Sequence, residues 1–130
     1  MKKNNLLLYH LPLLAYAIVI IVLSSLSHLK TPEIRFLAFD KIAHFFEYAL
    51  LAFLTVRSFS HISQNISKNK AYLLTALFII IFALFDEYFV QTLSRRVSSM
   101  YDLMADVVGA YILMLSMWFF QKIRDKKEQI

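Results

Sequence analysis

The residues of this chain that could do chemistry are histidine, aspartate, glutamate and arginine set at helical spacing. Asp40, His44 and Glu47 are four and three residues apart, which places them on one helix face. Asp102, Asp106 and Gly109 repeat that spacing. Asp86 and Glu87 are adjacent, Gln91 follows, and Arg95 and Arg96 come next. A carboxylate beside an imidazole orients the ring and steadies its charged form, which is how proton transfer is commonly arranged. His44 is therefore the candidate general acid or base, oriented by Asp40 or Asp106, with Glu87 as a second acid–base group. Arg96 has the planar fork that holds a phosphate or carboxylate. Asp86, Asp102 and Gln91 complete the candidate substrate-binding set. Two carboxylates and a histidine could also hold a divalent ion, which the pattern permits without requiring.

Each residue has a plainer reading when taken alone. Asp40 and Asp102 suit the starts of helices, where a carboxylate caps free N–H groups and complements the dipole. His44 could be a hydrogen-bonded packing residue, and Arg95 with Arg96 could anchor to lipid headgroups. Because Asp86 and Glu87 are neighbours, one of the two is expected to face the cluster and the other a neighbouring helix or the headgroups. His10, His28 and His61 have no partner at helical spacing and read as surface residues.

The surrounding elements decide between these readings. Of 130 residues, 59% are hydrophobic, 18% are charged, one is glycine and two are proline. A soluble domain carries about a quarter charged residues and far more glycine and proline. Four apolar stretches, at about 11–29, 42–56, 71–93 and 103–120, each approach the ~20 residues needed to cross a bilayer. None alternates with period two, so helices are expected. The run 6–23 after Lys2 and Lys3 is too long for a signal-peptide core and reads as part of the first span. The expectation is an all-α, polytopic membrane protein: one domain over 1–130, folded as an antiparallel four-helix bundle with a polar tail from residue 121.

Charge supplies an orientation. Nine Lys and Arg fall at the termini and the 57–70 loop, against five (Lys30, Arg35, Lys41, Arg95 and Arg96) on the other side. The positive-inside rule then places both termini in the cytoplasm. The net charge of +5 fits helix ends and anionic lipid better than nucleic acid. Within the spans, the halves nearer the termini hold no ionisable residue, whereas the opposite halves carry Asp40, His44, Glu47, Asp86, Glu87, Asp102 and Asp106. Three spans thus bring their charges to one depth. A carboxylate inside a span costs about 2.5–3.5 kcal/mol even on a lenient scale, and such residues by default mark function. Gly109, with Ala105, forms a small-residue face that lets another helix approach closely.

The segments resemble the VanZ-like family of small bacterial membrane proteins. The matching residues are Asp40, Lys41, His44, Phe45 and Tyr48 in a DKxxHFxxY segment, then Asp86 and Glu87 of a DExxQ segment. Arg96 follows, with Asp102 six residues on, then Asp106 and Gly109. The likeness covers about 24–109. One departure stands out: Val90 occupies the place of the family glutamine, and Gln91 lies one residue further on. In a regular helix Gln91 would point about 100° from the expected face unless the helix loosens there.

The family is named for a link to reduced sensitivity to the glycopeptide teicoplanin, so the resemblance implies the bacterial cell envelope and cytoplasmic membrane. It supplies no reaction. An enzyme acting on a lipid-linked or envelope substrate at the outer face is one expectation, with a lipid-linked cell-wall precursor as the kind of partner. A non-enzymatic protein that captures an amphipathic ligand, such as a glycopeptide or lipid headgroup, is the alternative, and an accessory subunit is a third. No GxSxG, HExxH or glycine-rich phosphate loop is present, and no cysteine for a thiolate metal site. The apolar halves of the spans offer no polar relay for an ion pathway.

Overall fold

The computed structural model describes residues 6–26, 36–63, 65–93 and 99–128; the side chains of residues 6, 36–38 and 40 lie outside the description. Helix α1 begins with a π-wound turn, Leu6–His10, and continues as Leu11–Leu26. Helix α2 is Phe36–Phe59. Helix α3 runs from Lys68–Phe85 through a π-wound segment, Asp86–Val90, to Gln91–Leu93. Helix α4 is Met100–Lys127. Among the described residues there is no strand, and all four helices are long and apolar enough to cross a membrane. Helices are the form in which these sequences can leave water, because every backbone polar group is paired within the segment.

The helices are antiparallel neighbours. At the end holding the start of α1 and the end of α4, here called the near end, Tyr72 donates to the Gln121 side chain at 3.1 Å and Lys68 meets Asp125 at 3.1 Å. At the far end, α2 and α4 meet through Lys41 and Asp102. Between them lies a core of Ile20, Tyr48, Leu51, Ala52, Ile79, Ala83, Ala110 and Met114. Side chains such as Leu14, Ile81 and Leu115 point outward, as lipid-facing positions do.

Close packing is concentrated between α2 and α4, the most extensive helix pair. It depends on Gly109. A methyl group built there would collide with the Phe45 carbonyl oxygen and lie 2.9 Å from the Phe45 Cα. The missing side chain lets the two backbones touch, and packing between membrane helices draws on such contact because lipid is as apolar as leucine.

The helices outrun the spans expected from hydropathy. Ser67 caps α3 by accepting from the Lys70 backbone N–H, which starts that helix three residues earlier than the apolar run. The polar tail from residue 121 continues the helix to Lys127. Its residues include good helix formers, and Arg124, Lys126 and Lys127 in the last turn complement the helix dipole. Residues 27–29, expected to end the first span, lie outside the described residues.

Candidate functional site

The far end gathers side chains from all four helices. On α2, His44 is buried beside α4, and its Nδ1 lies 2.9 Å from Asp106 Oδ1. The contact follows from the helix crossing: Phe45, next to His44, rests on Gly109, one turn from Asp106. Against a carboxylate, Nδ1 carries the proton and donates it, which leaves Nε2 as the basic nitrogen of the ring. Asp106 is fully buried. Its other oxygen, Oδ2, has no hydrogen-bond partner among the described residues. One turn below His44, Tyr48 is also fully buried, and its hydroxyl likewise lacks a partner among the described residues. That hydroxyl is within electrostatic reach of Asp106, Asp86, Glu47 and Glu87.

Asp86 and Glu87 are both buried and point different ways, one towards a neighbouring helix and the other towards the cluster. Adjacent residues lie about 100° apart around a helix, and the helix here is also π-wound. The Gln91 backbone N–H donates to the Asp86 carbonyl, five residues back, so the helix widens by one residue there. Asp86 points to α1, where Ser24 donates to its Oδ2 at 2.8 Å. Glu87 points to the start of α4: its Oε1 accepts from the Ser99 backbone N–H, and its Oε2 accepts from Gln91 Nε2 at 2.6 Å. Gln91, four residues after Glu87 and fully buried, shares its face.

Asp102 pairs with Lys41 at 2.8 Å, where the lysine is partly exposed and lies over the Tyr101 ring. Glu47 is half-buried, and its backbone carbonyl accepts from the Tyr16 hydroxyl of α1 at 3.2 Å. Of the sequence candidates, His44 and Asp106 are thus in direct contact. Glu87 and Gln91 form a second pair, while Asp86 and Asp102 each hold another partner. The Asp40 side chain and Arg96 lie outside the described residues. Among the described residues, no three His, Asp or Glu side chains converge closely enough to hold a metal ion.

Three partners escaped the sequence reading. Ser24 shares its face with Ile20, one turn earlier, the two being the buried residues of α1 among those described; in a uniformly apolar span nothing in the sequence marked that face. Lys41 read as an interfacial charge, and Ser99 carried no signal because its backbone makes the contact. At the near end, His10 is half-buried rather than a surface residue, its Nδ1 2.6 Å from Ser58 Oγ. His61 is exposed as expected but stacks on Tyr9 at 3.7 Å between ring centres. His28 lies outside the described residues.

No curated protein and no solved structure matches the chain. A family model described as VanZ/LLP1 matches residues 3–121. That span takes in all four membrane helices but the last turns of α4, and every residue of the far-end cluster. This multi-pass membrane protein, with its charged groups drawn together at one end of a helical bundle, belongs to the VanZ/LLP1 family.

Proposed function

We propose that this protein resides in the bacterial cytoplasmic membrane with both termini in the cytoplasm, and that its far-end cluster transfers a proton to or from a lipid-linked envelope substrate. The observation that carries the reading is the buried His44–Asp106 pair at 2.9 Å. Burying both groups among hydrocarbon-facing helices is costly, and packing alone would be served by apolar residues. Asp106 fixes the ring so that Nε2 is the general base or, once protonated, the general acid. Arg96 holds the phosphate or carboxylate of the substrate. Glu87 has both oxygens engaged by Gln91 and Ser99, so it positions the start of α4 and, through it, Asp102 and Asp106.

Cells expressing the protein are tested for tolerance to teicoplanin, alongside its abundance in membranes. His44→Ala, His44→Gln and Asp106→Asn are each expected to reach normal abundance and to lose about 100-fold of the underlying rate, enough to abolish tolerance. Full tolerance in His44→Gln, which can still hydrogen-bond but cannot shuttle a proton at neutral pH, sinks the proposal.

A second reading, a non-enzymatic protein that binds an amphipathic ligand and so contributes to glycopeptide tolerance, is favoured by the internal pairing of the cluster. Asp102 is matched by Lys41, and Glu87 by Gln91 and Ser99. A fixed charge pattern of that kind recognises a ligand without needing proton transfer. It is the reading that survives if His44→Gln is active and Arg96→Lys is not, because a lysine cannot reproduce bidentate recognition.

A further inference from the structure

Helices α1, α2 and α3 leave between them, towards the near end, a cleft of about 610 Å³ that the far-end cluster does not use. Its walls are apolar, with Leu13, Ala17, Ile21, Phe78 and Phe82 among the lining side chains. At its near end lie the hydrogen-bonded His10 and Ser58, the serine buried, beside the exposed Ile62. From His10 to Ile21 the cleft follows α1 for about 16 Å of helical rise. That is about half the ~30 Å thickness of a hydrocarbon core. The cleft is therefore one leaflet deep and opens at headgroup level.

A guanidinium sits beside the mouth. Arg57 precedes Ser58, and its guanidinium carbon lies over the ring of Tyr9, the residue before His10, at 5.1 Å from the ring centre. Among the described residues no carboxylate pairs with it. A guanidinium held over a ring keeps N–H donors in a fork that matches phosphate oxygens. Lys70, Lys122, Arg124, Lys126 and Lys127 add positive charge at the same end, which favours an anionic headgroup.

We propose that this cleft binds one acyl chain of an anionic phospholipid from the near leaflet, with Arg57 holding the phosphate. The site is separate from the His44–Asp106 pair and does not rest on its chemistry. The full chain in detergent is titrated with phosphatidylglycerol or with phosphatidylcholine of the same acyl chains, and bound lipid is read by native mass spectrometry. One phosphatidylglycerol per chain is expected, held about tenfold more tightly than phosphatidylcholine, the scale of one charge-assisted hydrogen bond. Arg57→Gln should bring phosphatidylglycerol down to the phosphatidylcholine level. Ile18→Trp, which fills the cleft from a lipid-exposed position, should weaken both lipids. Equal affinity for the two lipids in the parent chain overturns the proposal, as does phosphatidylglycerol binding unchanged by either substitution. A lipid-free dimer would also overturn it, since a second copy would then fill the cleft.

Discussion

A buried hydroxyl with no partner is informative because it is expensive. Tyr48 is fully enclosed by the bundle, and its oxygen has no hydrogen-bond partner among the described residues. Leaving such a group unmatched costs about 1–3 kcal/mol. If Tyr48 served packing alone, phenylalanine would do better. Tyr48→Phe is expected to raise thermal stability in detergent, or leave it unchanged, while lowering teicoplanin tolerance; a variant with full tolerance would confine Tyr48 to the core. The two readouts move in opposite directions only if the hydroxyl works with His44 and Asp106. Much at this scale was legible beforehand. The distribution of charge placed His44 and Asp106 at one depth, because both lie in spans whose other halves carry no acidic, basic or histidine side chain. Ser24 was not legible as a partner of Asp86, since a contact across 62 residues depends on how α1 rotates.

At the scale of the helix, two irregularities position the site. One is the glycine crossing. Gly109→Ala forces a methyl group into the Phe45 backbone, which cannot rotate away as a side chain would. The expected cost is about 3 kcal/mol, the upper end for overpacking. It should appear as a lower unfolding temperature together with lost tolerance, because parting α2 from α4 also parts His44 from Asp106. A Gly109→Ala protein as stable as the parent would mean that the crossing is looser than described. The other is the π-wound turn of α3. The sequence posed it as a condition, namely that Gln91 turns towards the face of the family glutamine's place, held here by Val90, only if the helix loosens; the Gln91-to-Asp86 backbone bond shows the helix loosened there. Helix ends were less legible. Hydropathy marks where a chain leaves hydrocarbon, whereas caps and polar helix formers decide where winding stops, so Ser67 and the turns after Phe120 lay beyond its reach.

For the whole molecule, the four-span antiparallel bundle was legible from hydropathy because the bilayer imposes length and helicity together. Orientation rests on charge and is open to a direct test. The chain has no cysteine, so single-cysteine variants report one position each. Ser63→Cys, in the exposed loop between α2 and α3, should be shielded from an impermeant thiol reagent in intact cells. Tyr101→Cys, exposed at the far end, should react. The reverse pattern would put the cluster in the cytoplasm and remove the envelope substrate. A last consequence comes from how little of α1 is covered: 11% of its apolar window is buried, against 44% for α2. Drawing two helices apart within a bilayer forfeits little, since lipid tails take up the vacated surface. This helix is moored at points such as Ser24 and His10 more than it is embedded. Of the four, it is the helix whose displacement would uncover the least core, and through Ser24 it is the one that screens the Asp86 carboxylate from the membrane plane.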